Sequence, residues 1–197
     1  MKNFSYSVLP SSEDTQKALK SYNLFFQKIE NFLEQQFIKD EHGYNRILKQ
    51  LLPLTPLLQT PQRTSSLFKA ELTSIQKGKP LTEPTAWGGV TLKKVDVEKD
   101  YIQKLLIIKK KSVLGFEIHK EKHEHLTVIE GFCIVFFINH DKKSPTKILV
   151  QLAGPKDEFI FKPNDEHGIL TLSNCIIKET STNHLDDLVY IFNAKLK

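Results

Sequence analysis

The chain has 197 residues, 40% of them hydrophobic and 26% charged, with a formal net charge of +5, which suits one well-buried core plus an additional element. No apolar run reaches the roughly 20 residues that cross a bilayer, and the start MKNFSYSVLPSSED has no long apolar stretch and no small-residue cleavage site, so a cytoplasmic location with no membrane partner is expected. The basic residues are scattered rather than interleaved with aromatics, which argues against a nucleic-acid partner, and Cys133 and Cys175 lie in apolar contexts without metal-ligand spacing, as buried free thiols do.

Between residues 12 and 38, the positions Ala18, Leu19, Tyr22, Phe25, Phe26, Ile29, Phe32, Leu33 and Phe37 follow the i, i+3, i+4, i+7 spacing of an amphipathic helix. Ser11 or Ser12 supplies its cap, and Glu13 and Asp14 lie in the first turn, where they complement the helix dipole. The polar segment KDEHGYN breaks this helix, and YNRILKQLL predicts a second, shorter one ended by Pro53. After PLTPLLQTPQ, the segment TSSLFKAELTSIQKG predicts a third, stopped by Gly78. The aromatic stripe of the first helix offers a face to the core or to another copy of the chain, so a homodimer is one expected assembly.

From about residue 81 the pattern changes to short β-branched or aromatic runs parted by turn residues: TLKKVDV, YIQKLLIIKK, LGFEIHKE, HLTVIEG, FCIVFFIN, KILVQLA, EFIFKP, GILTLSNCIIKETS and LVYIFN. Regular short strands of this kind predict an all-β sandwich or barrel. The switch from a period of 3.6 to a period of 2 near GKPLTEPT divides the chain into an α-helical N-terminal extension, residues 1–80, and a β-barrel domain, residues 81–197.

GFEIHKEKHEHLTVIEG, residues 115 to 131, holds three of the seven histidines. It reads either as a metal site or as a histidine-rich charged strand edge. In an extended strand Gly115, Glu117, His119, Glu121 and His123 share one face, so His119 and Glu121 can reach one ion from neighbouring positions. Glu124 follows a turn at EKHE, and FIFKPNDEHGI presents His167 just after a proline-containing turn. Four candidate metal ligands, His119, Glu121, Glu124 and His167, thus come from two separated segments. His123 and His125 are assigned to the surface, His140 to a loop, and His184 with Asp186 and Asp187 to a turn or cap. Trp87, beside two glycines, is assigned to packing.

The spacing His119, Glu121, Glu124, Gly131 resembles the first motif of the cupin superfamily, and Pro163 with His167 resembles the second. Within cupins the chain is most similar to the carboxy-terminal domain of type II mannose-6-phosphate isomerases, through AWGG, YIQKLLI, EHLTVIEG and DEFIFKPNDEHGI in the same order over roughly residues 84 to 192. The resemblance implies a cupin-like double-stranded β-helix, or jelly roll, with a divalent metal at its mouth. It also implies that His119, Glu124 and His167 are ligands, with Glu121 where most cupins have a second histidine. Manganese, iron or zinc suits that mixed set.

Three functions follow from these residues. The first is a metal-binding protein that acts on or senses a small polar metabolite, in the manner of a sugar isomerase, with Glu121 or a nearby lysine as the candidate proton carrier. The second is a non-haem iron oxygenase with a site of two histidines and one carboxylate. The third is a non-catalytic cupin scaffold whose helical arm mediates dimerisation or binds a partner. The only arginines are Arg46 and Arg63, and Tyr190 stands where the isomerase domain has an arginine. A phosphosugar would therefore rest on lysines such as Lys104 or Lys162, without a guanidinium fork, and weak mannose-6-phosphate isomerase activity is expected.

Overall fold

The computed structural model describes residues 64–139 and 147–192. The first two predicted helices, and with them most of the extension and any dimer face on it, lie outside the described residues, as does His140. The third predicted helix is present as α1 (Ser66–Gln76). Ser65 caps it by accepting the Phe68 N–H at 3.0 Å, and Gly78, at φ 61°, ends it. Phe68, Leu72 and Ile75 recur at helical spacing and pack on Ile107, Ile176 and Leu105 of the strands beneath.

Eleven strands follow among the described residues: β1 (Thr82–Thr85), β2 (Gly88–Asp96), β3 (Tyr101–Ile108), β4 (Val113–Ile118), β5 (Glu124–Glu130), β6 (Cys133–Asn139), β7 (Lys147–Ala153), β8 (Glu158–Phe161), β9 (His167–Thr171), β10 (Cys175–Ser181) and β11 (Val189–Phe192). They form two antiparallel sheets, one ordered β1-β2-β3-β10-β5-β8 and the other β11-β4-β9-β6-β7. Strands distant in sequence are neighbours in both sheets, the arrangement of a jelly roll. The fold is a mainly β, cupin-like jelly roll with one helix on the outside of the first sheet.

The core between the sheets comes from alternate positions of facing strands: Leu106 and Ile108, Leu126 and Val128, Cys133, Val135 and Phe137, Ile169, and Cys175 and Ile177, with Phe159 and Phe161 beside them. Trp87 is packed against this core, as its neighbourhood predicted. Cys133 and Cys175 are buried free thiols. The cupin-motif glycine has a structural reason: Gly131 has φ 88°, and a Cβ there would meet the Asn174 carbonyl oxygen at 2.2 Å and Cys175 Sγ at 2.6 Å. Gly88 is equally confined, since a Cβ would meet the Ile107 carbonyl oxygen at 1.9 Å.

Toward one end of the barrel the same inward rows change character. Beyond Leu106 comes Lys104, beyond Ile177 comes Glu179, beyond Leu126 comes Glu124, and beyond Ile169 comes His167. On β4 a register shift between Leu114 and Glu117, opposite Ile169 and His167 of β9, inserts one extra residue. A bulge of this kind re-aims the side chain that follows it, so Glu117 and Leu114 both line the interior although they are three positions apart.

Among the described residues no helix is long and apolar enough to cross a membrane.

Candidate metal centre

Strand β4 stops at Ile118, and the chain turns through residues 119–123 before β5 begins at Glu124. That turn is pinned from two sides. The Asn164 N–H, in the proline turn before β9, donates to the His119 carbonyl at 2.7 Å, which ties the two sequence motifs together. On the other side the Asp187 carboxylate accepts the backbone N–H groups of Lys120, Glu121 and Lys122 at 3.0, 2.6 and 2.9 Å.

The result is a buried cluster in which Glu117, His119, Glu124 and His167 each offer a ligand atom, all within 4.8 Å of one another. His167 Nε2 lies 3.2 Å from Glu124 Oε2 and 3.5 Å from Glu117 Oε1. His119 Nε2 lies 3.4 Å from Glu124 Oε1 and 3.8 Å from Glu117 Oε1, and has no well-formed hydrogen bond although it is buried. Both imidazoles are oriented from behind by carbonyl oxygens, which can only accept: His119 Nδ1 donates to Asp187 O, and His167 Nδ1 to Asp165 O at 3.2 Å. Each ring therefore carries hydrogen on Nδ1 and turns Nε2 toward the cluster. Phe161 stacks on the His167 ring, with centroids 3.9 Å apart, and fixes its plane.

A divalent ion with donors at about 2.0 to 2.2 Å holds those donors roughly 3 to 3.5 Å apart, depending on coordination number. The closest separations here match, the imidazole and carboxylate donors are those that zinc, iron and manganese accept, and the orphaned His119 Nε2 gains a partner. The residues fit a metal.

Without an ion the groups balance one another as ion pairs. Burial opposes a charge on His167, but the Glu117 and Glu124 carboxylates outweigh it and lift the imidazole to about 10. His119 is raised in the same way, burial being overcome chiefly by Glu124. Burial would raise Glu124, yet the two imidazoles and Lys122 hold it well below the ordinary carboxylate range. Lys122 is buried beside the cluster, its Nζ against Glu124 Oε1 and 2.7 Å from Glu179 Oε1, and these carboxylates overcome desolvation to keep it an ammonium. Glu179 Oε1 also receives Lys104 Nζ at 3.1 Å and Ser181 Oγ at 3.2 Å.

Of the four residues singled out in the sequence as ligands, the structure brings together His119, Glu124 and His167, while Glu121 lies elsewhere. The shared-face argument requires an extended strand, and the strand ends before Glu121. Its side chain is 73% exposed and points to His184 Nδ1 at 3.5 Å, so neither the ligand position nor the proton-carrier role placed on it matches its location. Glu117, which the same alternation put on the face of His119, occupies the fourth place. Lys104, considered for a phosphate, is committed to Glu179, and Lys162 is exposed. His123 is at the surface and His125 pairs with Glu158 at 3.2 Å, both outside the cluster. Sequence reasoning missed Lys122 and Glu179; the inward alternation Cys175, Ile177, Glu179 was the available signal for the second.

Two spaces adjoin the cluster. An interior cavity of about 20 Å³, room for roughly one water, is lined by Leu106, Leu114, Leu126, Ile169, Glu117 and Glu124 among others. An open groove of about 240 Å³ runs past Tyr101, His123, His125, Ile160 and Thr180 to Glu124, which lines both spaces.

No protein-family model matches the chain, and no curated protein matches it. Solved structures similar to it include KdgF from Halomonas sp. (15% identity over 50% of this chain and 81% of that one, TM-score 0.42). An oxalate oxidase in complex with the substrate analogue glycolate shares 15% identity over 54% of this chain and 57% of its own, with a TM-score of 0.44. An RmlC-like cupin from Shewanella frigidimarina NCIMB 400 shares 15% identity over 54% and 86%, with a TM-score of 0.44.

Proposed function

We propose that His119, His167, Glu124 and Glu117 hold one divalent ion, manganese, iron or zinc, and that the protein acts on or senses a small polar metabolite at this site. The observation that carries this reading is the gathering of two buried imidazoles, one buried carboxylate and one half-buried carboxylate within 4.8 Å of one another, at the charged end of a barrel whose core is otherwise apolar. Exposed acidic groups gather without any ion; a buried set that includes two oriented imidazoles is a costlier arrangement, and metal binding gives it a purpose.

When bound, the ion supplies Lewis acidity to a carbonyl or hydroxyl oxygen. The chain's own groups divide the remaining work. Lys122, kept as an ammonium between Glu124 and Glu179, is a fixed positive charge and not a proton acceptor. Glu179 shares its Oε1 among Lys122, Lys104 and Ser181. Glu117 is the most accessible of the four cluster residues and lines the interior cavity, so it replaces Glu121 as the fourth group toward the ion.

The charged groups around the cluster favour a small metabolite over a phosphosugar. The lysines near the site are committed or turned outward, and Tyr190, in the place of the isomerase arginine, is 48% exposed on β11, an edge strand of its sheet. An isomerase acting on a smaller, uncharged or singly charged hydroxy-carbonyl compound suits these groups better than one acting on mannose 6-phosphate.

The test is metal content after purification without added ions, measured by inductively coupled plasma mass spectrometry. About one ion per chain is expected in the wild type, and loss of it in His119→Ala with His167→Ala, with the β circular dichroism retained. A wild-type protein that retains no manganese, iron or zinc after incubation with each contradicts the proposal.

A further inference from the structure

The groups that aim His119 belong to a segment distant in sequence. From Thr182 to Asp187 the chain crosses the turn at residues 119–123 and is fastened at its start: Thr182 N–H donates to His123 O, His123 N–H to Thr182 Oγ1 at 3.1 Å, and Asn183 N–H to Asp100 Oδ1 at 2.8 Å. Asp187 makes the last fastening in two ways at once. Its carboxylate fills the concavity formed by three consecutive N–H groups, Lys120 to Lys122, and its carbonyl oxygen receives the His119 Nδ1 proton.

We infer that Asp187 is the positioning residue of the cluster, whose carboxylate, seated in that backbone nest, holds its own carbonyl against His119 so that Nε2 is aimed at the ion. This rests on the metal reading above and adds to it a residue that touches no ligand position. The two halves of the contact need each other. The carboxylate fixes where residue 187 lies relative to the turn, and the carbonyl then leaves the imidazole one donor direction, which sets the opposite nitrogen toward Glu124 and Glu117. His167 is held locally instead, by Asp165 O two residues away and by the stacked Phe161 ring. The cluster thus has one locally oriented imidazole and one whose aim depends on a distant strap.

The experiment uses the full chain and two readouts. The first is the imidazole ¹H–¹⁵N spectrum of the metal-free protein, where a slowly exchanging His119 Nδ1 proton is expected in the wild type. It should be lost or exchange-broadened in Asp187→Ala and unchanged in Asp186→Ala, which alters an exposed neighbouring carboxylate. The second is zinc titration, in which Asp187→Ala should bind about 10- to 100-fold more weakly, with partial recovery in Asp187→Asn, which restores one acceptor oxygen. Retained dispersion of the core amide signals shows that the variants fold. A His119 Nδ1 proton unaltered in Asp187→Ala overturns the positioning role whatever the titration gives. A proton lost in that variant with undiminished zinc affinity overturns the claim that the aim matters to the ion. A wild type that takes up no zinc while its Nδ1 proton still depends on Asp187 removes the metal reading and leaves the positioning supported.

Discussion

The two ends of the barrel are made by the same strands with the same inward alternation, and both bury most of their side chains. On β10, Ile177 is 1% exposed and Glu179, two residues further, is 4%. On β3 and β5 the rows run from Ile108 and Leu106 to Lys104, and from Val128 and Leu126 to Glu124. At the apolar end burial is itself the stabilising term, about 25 cal/mol per Å² of apolar surface removed from water. At the charged end each burial costs several kcal/mol, which the ion pairs between Lys122, Lys104, Glu179, Glu124 and the imidazoles must offset. A barrel could be filled with leucine throughout. That one end is not filled this way is the physical reason to look for function there.

The largest effects that separate the ends are on stability. Phe159→Ala should cost about 3 to 5 kcal/mol by opening a cavity in the core, measured as a lowered urea midpoint. Glu179→Leu should cost a similar amount, about 3 to 5 kcal/mol, for the opposite reason, because it strands the Lys104 ammonium and leaves that of Lys122 with Glu124 alone. The two differ in what repairs them. Adding Lys122→Met should recover about 1 to 3 kcal/mol of the Glu179→Leu loss and none of the Phe159→Ala loss; equal, additive behaviour at both ends would remove the distinction.

Next in size is the pH response, which belongs to the charged end. His167 is raised to about 10, so its pairing with Glu117 and Glu124 stabilises the metal-free protein fully below pH 6.5 and progressively less as pH climbs toward 10. Thermal midpoints in the presence of a chelator should therefore fall across that window. Metal uptake near neutral pH must expel the same proton, so calorimetry in buffers of different ionisation enthalpy should report proton release, and affinity should rise with pH. Asp187 acts at the acid side. The N–H of Glu121, with those of Lys120 and Lys122, holds its carboxyl down to about 2, so its contribution is present above pH 3.8 and lost as pH falls toward 2.

The smallest expected effect is the absence of one. With manganese, iron, cobalt or zinc, conversion of mannose 6-phosphate to fructose 6-phosphate should stay far below ordinary turnover, about 1 to 1,000 per second. The charged end spends its lysines on Glu179 and Glu124 and supplies no guanidinium for a phosphate. Turnover in that range would mean that those lysines exchange partners when substrate arrives.

The apolar end was the more legible of the two in the sequence. Alternating runs such as FCIVFFIN and the punctuation between them are enough to predict strands and a barrel, because burial of a strand face leaves a period of 2. Three residues of the cluster were also visible: His119, Glu124 and His167 sit at motif spacings. Alternation failed where the backbone leaves the ideal strand. The end of β4 at Ile118 sends Glu121 outward, although alternation had put it with Glu117 and His119. No periodicity encodes where the strand stops. Lys122 was hidden for another reason: a lysine between two turn residues reads as solvated, and only the folded arrangement brings Glu124 and Glu179 to its ammonium.

The central claim is that the charged end holds an ion through Glu117 and not Glu121. Anomalous diffraction at the manganese edge, from crystals of the full chain grown with that ion, tests it most directly. The account predicts one peak about 2.0 to 2.3 Å from His119 Nε2, His167 Nε2 and carboxylate oxygens of Glu124 and Glu117. A cluster that stays empty, or a peak bound by Glu121 and His184 at the surface, would contradict it.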